Sequence, residues 1–225
     1  MSMRAVIKFS KSEAVKYISH LDMLRLFQRA LARSGLKVSY SEGYHPHMLL
    51  SFALATPVGV ASVCEYAETY FEYPMFCEEI AQRLGSVMPG GCEVLEAFEL
   101  SEQYPALMSV VSAADYQFFY RPENAEAVSQ CLNEISSRPE IIIMKKSKKG
   151  FRPADIKPML HEMKMRGNVL SCTLASGGQV NLRPDALDGL IFKEMGLKAE
   201  NIVRTAVYIE EKGMKICPEQ SEARL

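Results

Sequence analysis

Three arginines recur at helical spacing near the start of the sequence. Arg25, Arg29 and Arg33 lie four residues apart, so on an α-helix successive side chains of the set point within about 40° of each other. This set, called the arginine row below, can follow the phosphates of a nucleic acid, because each neutralised phosphate releases counterions. A solvated helix face with Asp22 as its internal partner presents the same pattern, so both interpretations stay open.

A second basic segment lies in the other half of the chain. It contains Lys145, Lys146, Lys148, Lys149 and, after a glycine, Arg152. Closely spaced lysines repel one another unless an anion binds between them. We interpret the segment as a basic hairpin tip or loop that either binds RNA or another polyanion, or only keeps the protein soluble.

Two histidines flank a proline in a turn-like segment that also contains Tyr44. His45 and His47 could be two ligands of a metal ion, but Glu42 is the one other nearby residue with a metal-binding side chain. We therefore expect no metal here. We expect this turn to contact the backbone or RNA instead. Four aromatic residues lie in or near this part of the chain, namely Tyr40, Tyr44, Phe52 and Tyr66. Aromatic residues on a sheet can stack on bases or pack in the core.

His20 stands at the start of a predicted helix, close to Lys16 and Tyr17. A histidine can take the proton of a 2′-hydroxyl while a cation stabilises the charged phosphorane. His20 and Tyr17 are therefore candidate catalytic residues for RNA cleavage. A histidine at a helix start also occurs for structural reasons alone, so the catalytic role stays one of two alternatives.

The sequence lacks the motifs GxxxxGK[ST], GxGxxG, GxSxG and HExxH, which mark common nucleotide, nucleophile and zinc sites. It also lacks the CxxxCxxC motif that holds the iron–sulfur cluster of radical enzymes. Its 6 cysteines are scattered without a CxxC pair. We therefore expect free thiols, no cofactor and no metal centre.

Charge is segregated along a chain that is nearly neutral overall. The 225 residues include 26 Lys+Arg and 27 Asp+Glu, for a net charge of −1. Residues 1–37 hold eight basic and two acidic side chains, residues 65–102 hold one and nine, and residues 145–166 hold eight and two. The low net charge therefore does not argue against nucleic-acid binding.

Composition places the chain among globular proteins, since 48% of the residues are hydrophobic and 24% are charged. No apolar run approaches the roughly 18 residues of a membrane span. The first residues also lack an apolar core followed by a cleavage site. We expect a cytoplasmic protein without membrane contact.

The elements that must position these residues alternate strands and helices. Ser19 is a predicted N-cap, Gly35 a predicted helix end, and Leu21, Leu24 and Leu31 the predicted buried stripe between them. The first half follows the order β-α-β-β-α-β. Its predicted strands are 4–9, 64–72 and 92–99, its short apolar segments are 36–41 and 48–54, and its helices are 19–35 and 75–87.

The second half repeats this order loosely, with a basic insertion between its first and second strands. We therefore predict an α+β fold of two tandem ferredoxin-like (βαββαβ) units with antiparallel sheets. The predicted units are residues 1–104 and 105–225. The second contains strands 114–120, 140–145, 162–174, 178–182 and 202–210 and helices 123–136 and 184–195.

Residues 16–66 closely resemble the radical-SAM-linked family of uncharacterised bacterial proteins. Later segments that fit the family are 148–150, 155–158, 182–185 and 204–206, and Met48 departs from it where a second proline is usual. The motifs that carry the resemblance are Ser19-His20-Leu21-Asp22, Arg25, Phe27, Arg29-Ala30, Tyr40-Ser41-Glu42-Gly43, His45-Pro46-His47, Ser51-Phe52, Pro57-Val58-Gly59 and Glu65-Tyr66.

The resemblance implies a partner, since members are encoded beside, or fused to, a cobalamin-binding radical SAM protein. Their own activity is not established, and this chain lacks the cluster cysteines, so it would be an accessory to that enzyme. A weaker similarity in element order points to CRISPR-repeat-processing endoribonucleases, although Gly177-Gly178 does not match their glycine-rich loop. Pseudouridine synthases use related sheets, but Arg204-Thr205 continues here to Ala206 and not to their catalytic aspartate.

These observations favour a non-enzymatic accessory protein that binds RNA, such as tRNA or rRNA, and presents it to the radical SAM enzyme. One alternative is a protein-interaction subunit that docks through its acidic or basic face without RNA. The other is a metal-independent endoribonuclease that uses His20 with Tyr17.

Overall fold

The computed structural model describes residues 2–147, 150–178 and 180–225. The first half of the chain contains four strands and two helices among these residues. They are β1 (Met3–Lys11), α1 (His20–Ser34), β2 (Leu50–Phe52), β3 (Val60–Phe71), α2 (Cys77–Gly85) and β4 (Val94–Glu99).

The second half begins with a short helix that leads directly into a strand. Its elements are α3 (Leu107–Val110), β5 (Val111–Phe119), α4 (Ala125–Ser137), β6 (Ile142–Ser147), β7 (Gly150–Asp155), β8 (Leu160–Arg166), β9 (Val169–Ala175), α5 (Pro184–Met195), β10 (Asn201–Glu211) and β11 (Met214–Ile216). No helix in the described part of the chain is long and apolar enough to cross a membrane.

The fold is α+β, with one large and mostly antiparallel sheet. Among the described residues this sheet has nine strands, in the order β4-β1-β3-β10-β5-β9-β8, with β2 paired to β3 and β11 paired to β10. Residues 202–204 of β10 run parallel to residues 60–62 of β3. The predicted separation into two antiparallel sheets is therefore replaced by one sheet, because β10 pairs with β3 on one side and β5 on the other.

Several predicted strands differ from the observed ones. Segment 36–41 contributes only isolated bridges, at Val38 and Tyr40. The predicted strand 162–174 is the hairpin of β8 and β9, which turns at Gly167 with φ +56°. Strand β6 exists, but it pairs with β7 in a separate two-stranded sheet. In segment 178–182 the described residues belong to no strand, and Gln179 lies outside them.

Helix α1, which carries the arginine row, begins and ends where the sequence predicts. The Ser19 hydroxyl accepts a hydrogen bond from the backbone N–H of Asp22 at 3.2 Å, and Gly35 ends the helix at φ +70°, where a Cβ would be unfavourable. Leu21 is 61% exposed, in contrast to its predicted burial, since it lies about 120° around the helix from Phe27. The buried residues of α1 are Met23, Phe27, Ala30 and Leu31.

Two buried ion pairs hold distant parts of the chain together. Arg204 on β10 contacts Glu65 on β3 at 2.8 Å, with side chains only 1% and 2% exposed. Arg4 on β1 contacts Glu68 on β3 at 2.8 Å, and the Glu68 carboxylate accepts the backbone N–H of Leu107 at 2.9 Å. Buried charges are tolerated when they are paired and hydrogen-bonded in this way. The pairs therefore tie both the parallel junction and the connecting segment to β3.

The core is also shared between the halves. One buried cluster includes Val6 and Tyr66 from the first half and Tyr116 and Leu170 from the second. A second cluster lies under α1 and α2 and is centred on phenylalanines such as Phe27. The boundary between residues 104 and 105 stays a prediction.

Candidate functional site

The arginine row lies on the exposed face of α1, opposite its buried residues. Arg25 pairs with Asp22, with 3.0 Å between Nη1 and Oδ1. Arg33 donates a hydrogen bond from Nη2 to the Val87 carbonyl at 2.7 Å, which anchors this end of the row to the segment after α2. The three arginines are thus presented together to solvent on a rigid element.

The arginine row borders an open groove of about 750 Å³. The loop before α1 also lines the groove and includes Tyr17, which is exposed. Asp22 and Pro89 are further lining residues. We call this feature the arginine groove; it combines three guanidinium groups with an exposed aromatic ring, the residue types that bind phosphates and stack on bases.

Buried Lys11 holds the loop that carries Tyr17. Its ammonium donates hydrogen bonds to the carbonyls of Lys16, at 2.9 Å, and Ile18, at 3.2 Å. Burial lowers the pKa of Lys11, and the nearby Glu65 carboxylate opposes that effect only in part. Lys11 therefore positions one wall of the groove, a role that was not predicted, because the sequence shows Lys11 only as one of the eight basic residues of segment 1–37.

His20 and Tyr17 contact different neighbours in the structure. The His20 ring packs edge-on against Phe52, with 5.6 Å between centroids, whereas the Lys16 ammonium lies 5.7 Å from the centroid of the Tyr17 ring. In the part of the chain that the structure describes, no hydrogen bond joins His20 to Tyr17. General acid–base catalysis depends on the distances of such groups to the reacting atoms of a substrate, so a catalytic role of His20 and Tyr17 stays a prediction.

The turn with Tyr44, His45 and His47 is exposed and closes on itself. The Nδ1 atom of His47 lies 2.8 Å from the Ser41 hydroxyl, and the Ser41 N–H donates to the His47 carbonyl at 2.8 Å. The rings of Tyr44 and His45 stand 6.2 Å apart. These residues contact their own turn, and they do not line the arginine groove.

The second basic segment forms the β6–β7 hairpin. Lys145 faces Arg152 across the two strands, and its ammonium donates to the Asn181 carbonyl at 3.0 Å. Arg152 is exposed. Lys146 belongs to β6, but its side chain, like the whole of Lys148 and Lys149, lies outside the described residues.

The described residues of the two basic segments do not line the same groove. The hairpin borders a different cavity, against α5, which shares no lining residue with the arginine groove. The acidic segment 65–102 is also less uniform than its composition predicts. Glu65 and Glu68 are buried in ion pairs with arginines, and Glu79 and Glu96 pair with Arg83 and Arg224.

The exposed cations were predictable from the sequence, but the buried ones were not. Glu65 and Arg204 fell within segments that fit the family pattern, and charged residues inside apolar strands were the available signal for burial. Spacing alone could not identify their partners, because Glu65 and Arg204 are separated by 139 residues.

Residues 4–184 match the family described as "Uncharacterized protein conserved in bacteria (DUF2344)". No curated protein matches the chain significantly. Among solved structures, a Cbf5-Nop10-Gar1 complex chain is similar at 12% identity and a TM-score of 0.48 over 92% of this chain, which spans 50% of that chain. A Lactobacillus acidophilus protein assigned as a monooxygenase has 10% identity and a TM-score of 0.23, with 96% and 98% of the two chains covered. Neither likeness carries an argument about function.

Proposed function

We propose that this chain, which belongs to the uncharacterised bacterial family DUF2344, is a non-enzymatic accessory protein that binds RNA in the arginine groove. The observation that carries the proposal is the exposed arginine row on α1, which lines an open groove of about 750 Å³ together with Tyr17. The RNA would be tRNA or rRNA, with phosphates on the arginines and a base against Tyr17. No cofactor is needed for this role.

The proposed partner is a cobalamin-binding radical SAM protein in the cytoplasm. The family resemblance of residues 16–66 supports this partner, and the absence of cluster cysteines in the sequence supports an accessory role. In this scheme the groove holds the RNA while the partner modifies it. The arrangement of His20 and Tyr17 favours presentation of RNA over its cleavage.

The strand orders support the proposal that each half is a ferredoxin-like unit. The first half has the order β4-β1-β3 with β2 on the far side of β3, and the second has β10-β5-β9-β8. Both orders alternate in direction, as a βαββαβ unit requires. We propose that the two units are fused edge to edge through β3 and β10.

The test is the salt dependence of RNA binding, measured by fluorescence anisotropy with labelled bulk tRNA. Between about 50 and about 200 mM salt the affinity of the wild type should fall steeply, with a logarithmic slope of about −0.7 to −0.9 per phosphate contact. The Arg25/Arg29/Arg33→Ala variant should bind more weakly, and its slope should be shallower by about 2.

A matched control removes the same amount of charge elsewhere. Lys164, Arg166 and Lys215 are exposed and lie outside the arginine groove, so their triple alanine variant should keep most of the affinity. Equal binding by the two triple variants would overturn the assignment of the groove. No salt-dependent binding by the wild type would overturn RNA binding itself.

The protein-interaction alternative is distinguished by co-purification with the radical SAM partner. A complex bridged by RNA should dissociate after nuclease treatment, whereas a direct protein complex should survive it. The pairing of Glu65, Glu68, Glu79 and Glu96 with arginines weakens the acidic segment as a docking surface.

A further inference from the structure

A second groove, here called the hairpin groove, lies between the β6–β7 hairpin and α5. It encloses about 680 Å³ and is lined by residues of both elements and by Asn181. The hairpin pairs with no strand of the large sheet among the described residues. Its contact with Asn181 through the Lys145 ammonium, at 3.0 Å, holds one wall of the groove in place.

The hairpin wall carries apolar side chains that remain open to solvent. Ile142, Met144 and Phe151 are 46%, 59% and 67% exposed, and all three line the groove. In the hairpin register Met144 pairs with Pro153, and Phe151 pairs with Lys146, two residues further along β6. Met144 and Phe151 are therefore diagonal neighbours on one face of the hairpin. This wall therefore offers a ring and a thioether to a flat apolar group.

The groove also carries an excess of positive charge. Lys145, Arg183 and Lys193 line it together with a single carboxylate, that of Asp185. Arg183 donates a hydrogen bond from Nε to Asp185 at 2.8 Å, which fixes the orientation of the guanidinium group. The two terminal nitrogens of this group make no hydrogen bond within the described residues. The α5 wall is open at Gly189, where an added Cβ would meet no atom within 4 Å.

We infer that the hairpin groove binds an unpaired nucleotide, with its base stacked on Phe151 and Met144 and its phosphate on Arg183 and Lys193. This inference rests on the proposed RNA-binding function and assigns it a second contact, for a single-stranded part of the RNA. Exposed aromatic rings bordered by cations are the usual means of binding single strands without sequence preference.

The size of the groove favours a nucleotide over a protein partner. Its volume of about 680 Å³ lies within the range of about 300–1,000 Å³ found for small-molecule sites. A stable protein partner would need about 800 Å² of surface on each side, far more than three exposed apolar side chains provide. The same chemistry would accept a free nucleotide, so the experiment includes one.

A single tryptophan gives a local reporter, because the natural sequence contains none. Phe151→Trp is expected to fold normally, since the ring is exposed. Labelled octauridylate should quench this tryptophan in a saturable way, whereas inorganic polyphosphate, which has no base, should not. Uridine monophosphate should quench it at much higher concentration if the natural ligand is an RNA strand, and at a similar concentration if it is a free nucleotide.

Affinity measurements then test the contact without the reporter. Phe151→Ala should weaken octauridylate binding on the order of tenfold, the usual effect of losing one stacked base. Phe76→Ala, which removes another exposed ring beside α2, is the matched control and should change little. The arginine-row variant should weaken polyphosphate binding, and Phe151→Ala should not.

The outcomes separate this inference from the proposed function. If the wild type binds RNA while Phe151→Ala and Phe76→Ala bind as it does, the hairpin groove is overturned and the arginine groove stands. If octauridylate binds but the arginine-row variant is unaffected, the proposed site in the arginine groove is wrong and the hairpin groove stands. Equal quenching by an acidic peptide would overturn the nucleotide assignment in favour of a protein ligand.

Discussion

Arg204→Met is expected to destabilise the protein strongly, because it leaves the buried Glu65 carboxylate without its main partner. The guanidinium donates to both Glu65 oxygens, at 2.8 and 2.9 Å, to the Tyr116 hydroxyl at 3.1 Å and to the Ala55 carbonyl at 3.1 Å. Burial by itself lowers the pKa of Arg204, but the attraction of Glu65 and the contacts with Tyr116 together outweigh it and raise that pKa above its usual value.

The magnitude follows from the burial of both charges. Removing one member of a buried ion pair costs about 3–5 kcal/mol of the free energy of unfolding, since the remaining charge stays in a poor solvent. Methionine preserves much of the side-chain volume, so little of the loss comes from a cavity. Lys11 lies close enough to attract Glu65, which offsets part of the penalty, and we expect a loss of about 3 kcal/mol.

Urea denaturation followed by circular dichroism measures this loss, and a double-mutant cycle assigns it. Arg204→Met/Glu65→Leu removes both charges and should recover much of the stability lost in Arg204→Met. Arg121→Met, which breaks an exposed pair with Glu200, is the control and should have little effect. A small loss in Arg204→Met, or strictly additive losses in the double variant, would refute the coupling between Arg204 and Glu65.

Further predictions concern acid stability, the core and the loop after β9. Burial alone raises the pKa of Glu219, but hydrogen bonds from Lys8 and a buried tyrosine outweigh it and lower that pKa below its usual value. This stabilisation is present above the ordinary glutamate pKa and is lost as pH falls through the folded value, so Glu219→Gln should lower the urea midpoint at neutral pH and not in strong acid. Phe27→Ala should cost about 3–5 kcal/mol in urea denaturation; a loss under about 1 kcal/mol would contradict the fully buried position of Phe27. Gly177→Ala should lower the melting temperature, because its Cβ would lie 2.5 Å from a backbone oxygen of β5, whereas Gly178→Ala, with no atom within 4 Å, should not; similar melting temperatures would contradict this.

Local structure was predictable where short-range chemistry decides it. Ser19 and Gly35 set the ends of α1 through a side-chain cap and a left-handed residue, both of which depend on neighbours a few residues away. The same short range put the arginine row on one face of the helix. Leu21 was misplaced because its burial depends on which side of α1 packs against the sheet.

Long-range pairing was not predictable from spacing. The junction of β3 and β10 joins residues about 140 positions apart. Strand propensity predicts that a segment is a strand, but it does not specify which other strand that segment will pair with. For the same reason the sequence does not pair Glu65 with Arg204, which the fold places 2.8 Å apart. The segregated charge of the sequence likewise overstated the acidic surface, since part of it is neutralised inside the protein.

The sequence by itself determined that the chain is α+β, where α1 begins and ends, and that three arginines share one helix face, because periodicity and caps act within a few turns of backbone. Only the tertiary structure decided that the halves form one sheet, that Lys11 supports the wall carrying Tyr17, and that the arginine row and the hairpin border separate grooves. These features depend on contacts between distant segments, which form only when the burial of both partners is compensated by packing or by an opposite charge.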